Sequence, residues 1–68
     1  MPPHVYNPDQ KWQYNDPNGT FVMTEAQIIE EYFDYWAGNM IKRGLGKHVS
    51  KDACVDDWIV IHWAWKVE

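Results

Sequence analysis

Hydrophobic and polar positions along the chain fall into three patterned stretches separated by turn-forming residues. The first is "KWQYNDPNGTFVM", residues 11–23, with aromatic and β-branched residues on both sides of Asp16-Pro17-Asn18-Gly19. An aspartate in the first turn position bonds the backbone ahead of it, and proline has its φ already set. Asparagine tolerates the third position, and glycine takes the left-handed conformation of a bulged hairpin. Trp12 and Tyr14 on one arm and Thr20–Met23 on the other suit a pleated, half-buried surface. The stretch predicts a β-hairpin.

The second pattern has helical spacing. Ile29, Phe33, Trp36 and Met40 share one face, widened by Ile28, Tyr32 and Ile41, while Gln27, Glu30, Glu31 and Asp34 form a wet face. Thr24-Glu25-Ala26-Gln27 ahead of it has the form of a capping box, and Met23 and Ile28 are spaced for the accompanying staple. Acids fill the first half, and Lys42 and Arg43 the last turn, as the helix dipole prefers. The predicted helix runs to about Arg43, with Gly44 as its left-handed stop. Gly38 inside it costs about 1 kcal/mol against alanine. It is read as room for a ring from the sheet.

The third pattern is the C-terminal stretch. "GLGKHV" reads as a loop, and Ser50 as the cap of one helical turn over about Lys51–Asp56. The β-branched and aromatic density that follows predicts a strand at roughly 58–67. Alternation then points Ile59, Ile61, Trp63, Trp65 and Val67 toward the helix. Trp58, Val60, His62, Ala64 and Lys66 point the other way. A second reading makes 51–66 a helix in an all-helical fold, but the run Ile59-Val60-Ile61 lowers helix propensity.

These elements assemble most economically as an α+β two-layer fold. A three-stranded antiparallel sheet, built from the N-terminal hairpin and the C-terminal strand, packs on one long helix in β-β-α-β order. Residues 12–68 form one domain. Residues 1–11 hold three of the four prolines and read as an extended arm that docks through Val5 and Tyr6.

Length restricts the molecule further. A chain of 68 residues allows one domain with a marginal core. Five Trp, four Tyr and two Phe compensate, because each buried ring removes roughly 150–250 Å² from water. The single cysteine, Cys54, excludes an intramolecular disulfide. With no signal peptide in view, it leads to the expectation of a reducing cytoplasm. No apolar run approaches the roughly 20 residues of a membrane span, so no membrane contact is expected.

Charge and chemistry narrow the function classes. The net charge of −4 is the wrong sign for a generic nucleic-acid binder. Lys42, Arg43, Lys47 and Lys51 nevertheless cluster with His48, a candidate surface for phosphates or an acidic protein. Dipole complementation and solubility are the plainer account of that cluster. His4, His48, Cys54 and His62 match no paired zinc spacing, so no metal and no cofactor is expected. A Cys54–His62–Asp57 nucleophilic arrangement would need an accessible thiol and a shaped pocket, which a chain this short has little room for. "RGLGKHVS" lacks the spacing of a phosphate loop and follows a helix instead of a strand.

Two resemblances add to this. "WQYNDPNGTF" followed by a helix is similar to the opening of GYF domains, carried by Trp12, Tyr14, Asp16, Pro17, Gly19 and Phe21. It covers about a third of the chain and implies clustered aromatics that grip proline-rich peptides. The G-P-F and G-Y-F elements that build that peptide site are absent. The acidic, Trp/Tyr-rich whole, with its "DDWIVIHWAW" tail, resembles small proteins of tailed cyanophages and implies no activity.

The sequence therefore predicts a non-enzymatic cytoplasmic protein-binding module, monomer or homodimer, with a phage-encoded host modulator as its sharpest form. The expected contact surface is an open sheet face carrying Trp12, Tyr14, Trp58, Val60 and His62. The alternative is a nucleic-acid accessory using Lys42, Arg43, Lys47, His48 and Lys51.

Overall fold

The structure, a computed structural model, describes residues 4–67. The Pro2–Pro3 part of the expected arm lies outside the described residues. The elements are β1 (Lys11–Asp16), β2 (Gly19–Thr24), α1 (Glu25–Lys42), a 3-10 turn (Gly46–His48), α2 (Lys51–His62) and β3 (Trp65–Val67). The class is α+β, as expected, with two α-helices in place of one.

The hairpin forms where its turn chemistry put it. Asp16 pairs with Gly19 across the turn. The Asn18 N–H donates to Asp16 Oδ1 at 2.6 Å, and Gly19 takes φ +136°. The strands lie in the order β2-β1-β3, antiparallel throughout, with Trp12 opposite both Met23 and Lys66.

Helix α1 starts on the expected capping box. The Gln27 N–H donates to Thr24 Oγ1, and the Thr24 N–H donates to Gln27 Oε1. Two further orphan donors of its first turn are met by the arm: Glu25 N–H bonds Gln10 O, and Ala26 N–H bonds Pro8 O. The helix buries Ile28 and Trp36, with Ile29, Tyr32, Phe33 and Met40 half-buried beside them. Ile41 departs from the expected apolar face and is exposed. Gly38 is exposed as well, and a Cβ built there meets nothing within 4 Å. No ring from the sheet uses the space.

The main correction concerns residues 58–62. They continue α2 instead of opening a strand, and only Trp65–Val67 pair with β1. The helix begins at Ser50, whose Oγ accepts from the Ala53 N–H. It places Val55, Trp58, Ile59 and His62 at i, i+3, i+4 and i+7, one turn-by-turn stripe facing the sheet. Intrinsic propensity differences amount to a few tenths of a kcal/mol per β-branched residue. Burying Val55 and Trp58 is worth roughly 1.5–3 kcal/mol each, so tertiary packing decides the segment. The alternation-based faces are overturned with it. Trp58 is core, at 4% exposure, whereas Ile61 is 60% and Trp63 87% exposed, and Trp65 is also exposed.

The core is the cluster of Ile28, Val55 and Trp58, flanked by Tyr6, Trp12, Tyr14, Met23, Ile29, Tyr32, Ile59 and Ala64. Trp12, Tyr14, Phe21 and Met23 share one sheet face, on which the core packs against Trp12, Tyr14 and Met23 while Phe21 stays exposed. The other face carries the cross-strand row Val22–Gln13–Trp65, with Val22 and Trp65 exposed.

Both helices end in the same device. At α1, Gly44 N–H bonds Ile41 O and Leu45 N–H bonds Met40 O. At α2, Trp63 N–H bonds Val60 O and Ala64 N–H bonds Ile59 O. These are Schellman pairs. The left-handed position is Gly44 (φ +77°) in the first and Trp63 (φ +51°) in the second.

Candidate protein-docking site

The expected aromatic surface separates into two parts. Trp12, Tyr14, Trp58 and His62 do come together, but as packing. His62 stacks on Trp58 at 4.5 Å, and Tyr14 meets both edge-on at 5.4 and 5.1 Å. His62 Nδ1 lies 3.0 Å from the Trp58 carbonyl one turn back. The Trp12 indole N–H donates to Glu25 Oε2 at 2.9 Å. These rings are committed to the interface between α2 and the sheet. Of the five, only Val60, at 72% exposure, faces solvent, and it does so from helix α2 and not from a sheet face.

The arm covers part of the ground that an open aromatic face would need. Its backbone N–H groups are caught by carboxylates: His4 by Asp56 at 3.3 Å, Tyr6 by Asp52 at 2.7 Å and Asn7 by Glu25 at 2.8 Å. His4 also packs edge-on against Trp12, with Nε2 2.8 Å from Glu25 Oε2. Glu25 is wholly buried and gathers three partners from the arm and β1. The sequence pattern placed it only among the acids that the helix dipole favours in the first half of α1. Its hint was the indole of Trp12, a buried donor that requires an acceptor. Tyr6 joins the core and lies under the Lys51 ammonium at 5.1 Å, while Val5 stays exposed.

Exposed apolar surface collects instead at the C-terminal end of α2. Val60, Ile61 and Trp63 project there, beside a cleft of about 470 Å³ lined by Asn15, Asp16, Pro17, Ile61, His62 and Trp63. The hairpin turn forms one wall and the end of α2 the other. No lysine or arginine lines the cleft, and Asp16 contributes a carboxylate. Asp57, exposed and one turn before Ile61, adds a second negative charge to that helix face. Its carboxylate also accepts from the Trp36 indole at 2.6 Å, joining the two helices.

Trp63 is the anomaly of the site. A bulky residue with positive φ is a genuine outlier, and the left-handed conformation costs an L-residue roughly 1–2 kcal/mol. Gly44 fills the equivalent place in α1 without that cost. With its ring 87% exposed, Trp63 recovers little of the cost by packing. Alternation assigned it to the core, and only the placement of the helix end reveals it.

The remaining candidates are less coherent. Lys42, Arg43, Lys47, His48 and Lys51 are all exposed around the end of α1, the 3-10 turn and the start of α2. Single-strand binding also needs rings for base stacking, and Trp12 and Trp58 are taken up by packing. Cys54 is fully buried, and burial, helped by the Asp57 charge, pushes its thiol up to about 11. Burial also raises the Tyr32 phenol, with smaller contributions from Cys54, Asp57 and Tyr35. Among the described residues no group of three or more His, Cys, Asp and Glu is placed to hold a metal ion, and no helix is long and apolar enough to cross a membrane. Comparison with protein-family models, curated proteins and solved structures gives no match for this chain.

Proposed function

We propose that this chain is a non-enzymatic module of the cytoplasm that binds another protein through the end of α2. The observation that carries the reading is Trp63. A ring held in a strained conformation and left in water weakens the isolated fold and has its use in a complex. Val60 and Ile61 supply apolar area around it. Asp16 and Asp57 give the patch a negative border. The fitting partner presents an apolar pocket wide enough for an indole, rimmed by lysine or arginine. A phage-encoded modulator of a host protein is the sharpest form of this reading.

The test is affinity capture from the native cell extract with the wild-type chain and Trp63→Gly in parallel. A partner held by the wild type and lost at least about tenfold by Trp63→Gly, with the variant still folded, supports the reading. Equal capture by both sinks it. The nucleic-acid alternative is separated by salt: binding through Lys42–Lys51 should weaken steeply from low to moderate ionic strength, and a Trp63 substitution should leave it unchanged.

A further inference from the structure

The sheet has two edges, and they differ. β3 is three residues long and carries Lys66, so it is short and charged, as protected edges are. β2 is six residues long, Gly19–Thr24, and holds no charged residue and no proline. Four of its six residues, Gly19 to Val22, are exposed. An edge of this length and composition is a template for another strand.

The capping box shows which backbone groups are free. The Thr24 N–H donates to the Gln27 side chain, so it points away from β1. Donors alternate in direction along an antiparallel strand. The N–H and C=O groups of Val22 and Thr20 therefore point outward too, with no strand of the described residues beyond them.

From this geometry we infer that β2 pairs with β2 of a second copy, antiparallel about a twofold axis at Phe21. That register places Thr20 opposite the partner's Val22 and Val22 opposite the partner's Thr20. Each outward pair exchanges two hydrogen bonds, and the twofold doubles them to four. Phe21 faces its own copy at the closely spaced position, where aromatic pairs contribute most. The slipped register centred on Val22 is poorer, because it opposes Thr20 to the partner's Thr24, whose N–H is already taken by Gln27. Self-pairing also avoids the obstacle that a net charge of −4 sets against other dimer faces. The paired strands are uncharged, and no like charges meet across them. On the uncovered face the row Trp65–Gln13–Val22 would run on through Thr20 of the second copy. The contact is smaller than a standard interface of about 1,600 Å², so the dimer is a reversible one.

Sedimentation of the full chain from about 10 µM to about 1 mM tests this. The mean mass should climb from one chain toward two across that range. Val22→Pro removes an outward donor at an edge site where no ladder bond to β1 is lost. Phe21→Lys sets two cations against each other. Each variant should weaken self-association by at least about tenfold while circular dichroism stays native. Mixing Phe21→Lys with Phe21→Glu should restore a dimer that neither forms alone, and Trp63→Gly should dimerise like the wild type. A wild-type chain that stays monomeric at the top concentration overturns the inference. So does association that survives Val22→Pro and Phe21→Lys, or that is lost with Trp63→Gly.

Discussion

Two tryptophans five positions apart on and after α2 should respond to substitution in opposite ways. Trp58 is 4% exposed, stacked on His62 and met edge-on by Tyr14. Truncation to alanine removes a core ring and should cost about 3–5 kcal/mol, most of what a small domain has. Trp63 is 87% exposed. Its buried share, about 30 Å² of a ring worth up to about 250 Å², contributes less than about 1 kcal/mol at about 25 cal/mol/Å². Glycine at the same position releases left-handed strain of about 1 kcal/mol or more. Trp63→Gly should therefore be neutral or stabilising by up to about 1 kcal/mol, a melting-temperature change of about 0 to +8 °C for a chain of this size. Thermal and urea unfolding followed by far-UV circular dichroism measures both variants. Trp63→Ala keeps the strain while losing the ring, and should fall below Trp63→Gly. A Trp63→Gly variant destabilised by more than about 1 kcal/mol would show that the ring packs on the fold, and the docking argument would lose its footing.

Four further outcomes follow from the packing. Gly38→Ala in α1 meets open space and normal helical backbone, so urea unfolding should show a gain of about 1 kcal/mol. Glu25→Ala strips the acceptor from the Trp12 indole and the Asn7 N–H and frees His4. Two buried donors left unsatisfied, at about 1–3 kcal/mol each, should cost about 2–6 kcal/mol in the same assay. A loss under about 1 kcal/mol would show that the arm is not anchored there. Cys54 should resist alkylation until the chain unfolds, because its thiol is buried and raised from 9.0 to about 11. The raised pKa also sets a pH dependence. The folded state holds this proton more tightly than the unfolded one, so its stabilising effect is complete below 9.0 and is lost as pH rises to about 11. At about 1.4 kcal/mol per pH unit the loss is at most about 2–3 kcal/mol, and Cys54→Ala should abolish that portion of the alkaline decline.

The sequence by itself determined the elements whose signals are local. The Asp16–Gly19 turn, the Thr24–Gln27 capping box, the Gly44 stop and the Ser50 cap each rest on groups a few residues apart, and each forms at those residues, the turn without its expected bulge. The α+β class and the pairing of the last residues with the hairpin also follow from pattern. Only the tertiary structure decided the rest. Ile59-Val60-Ile61 favours a strand locally, by an amount smaller than the burial of Val55 and Trp58 that a helix permits. That choice turns Trp58 inward and Trp63 outward, so the docking surface could not be found from period-2 alternation. Glu25 became a buried hub because the arm folds back across more than fifteen residues to reach it. The two sheet edges likewise exist only once β3 has chosen β1 over β2, leaving the outward N–H and C=O groups of Thr20 and Val22 without a neighbouring strand among the described residues.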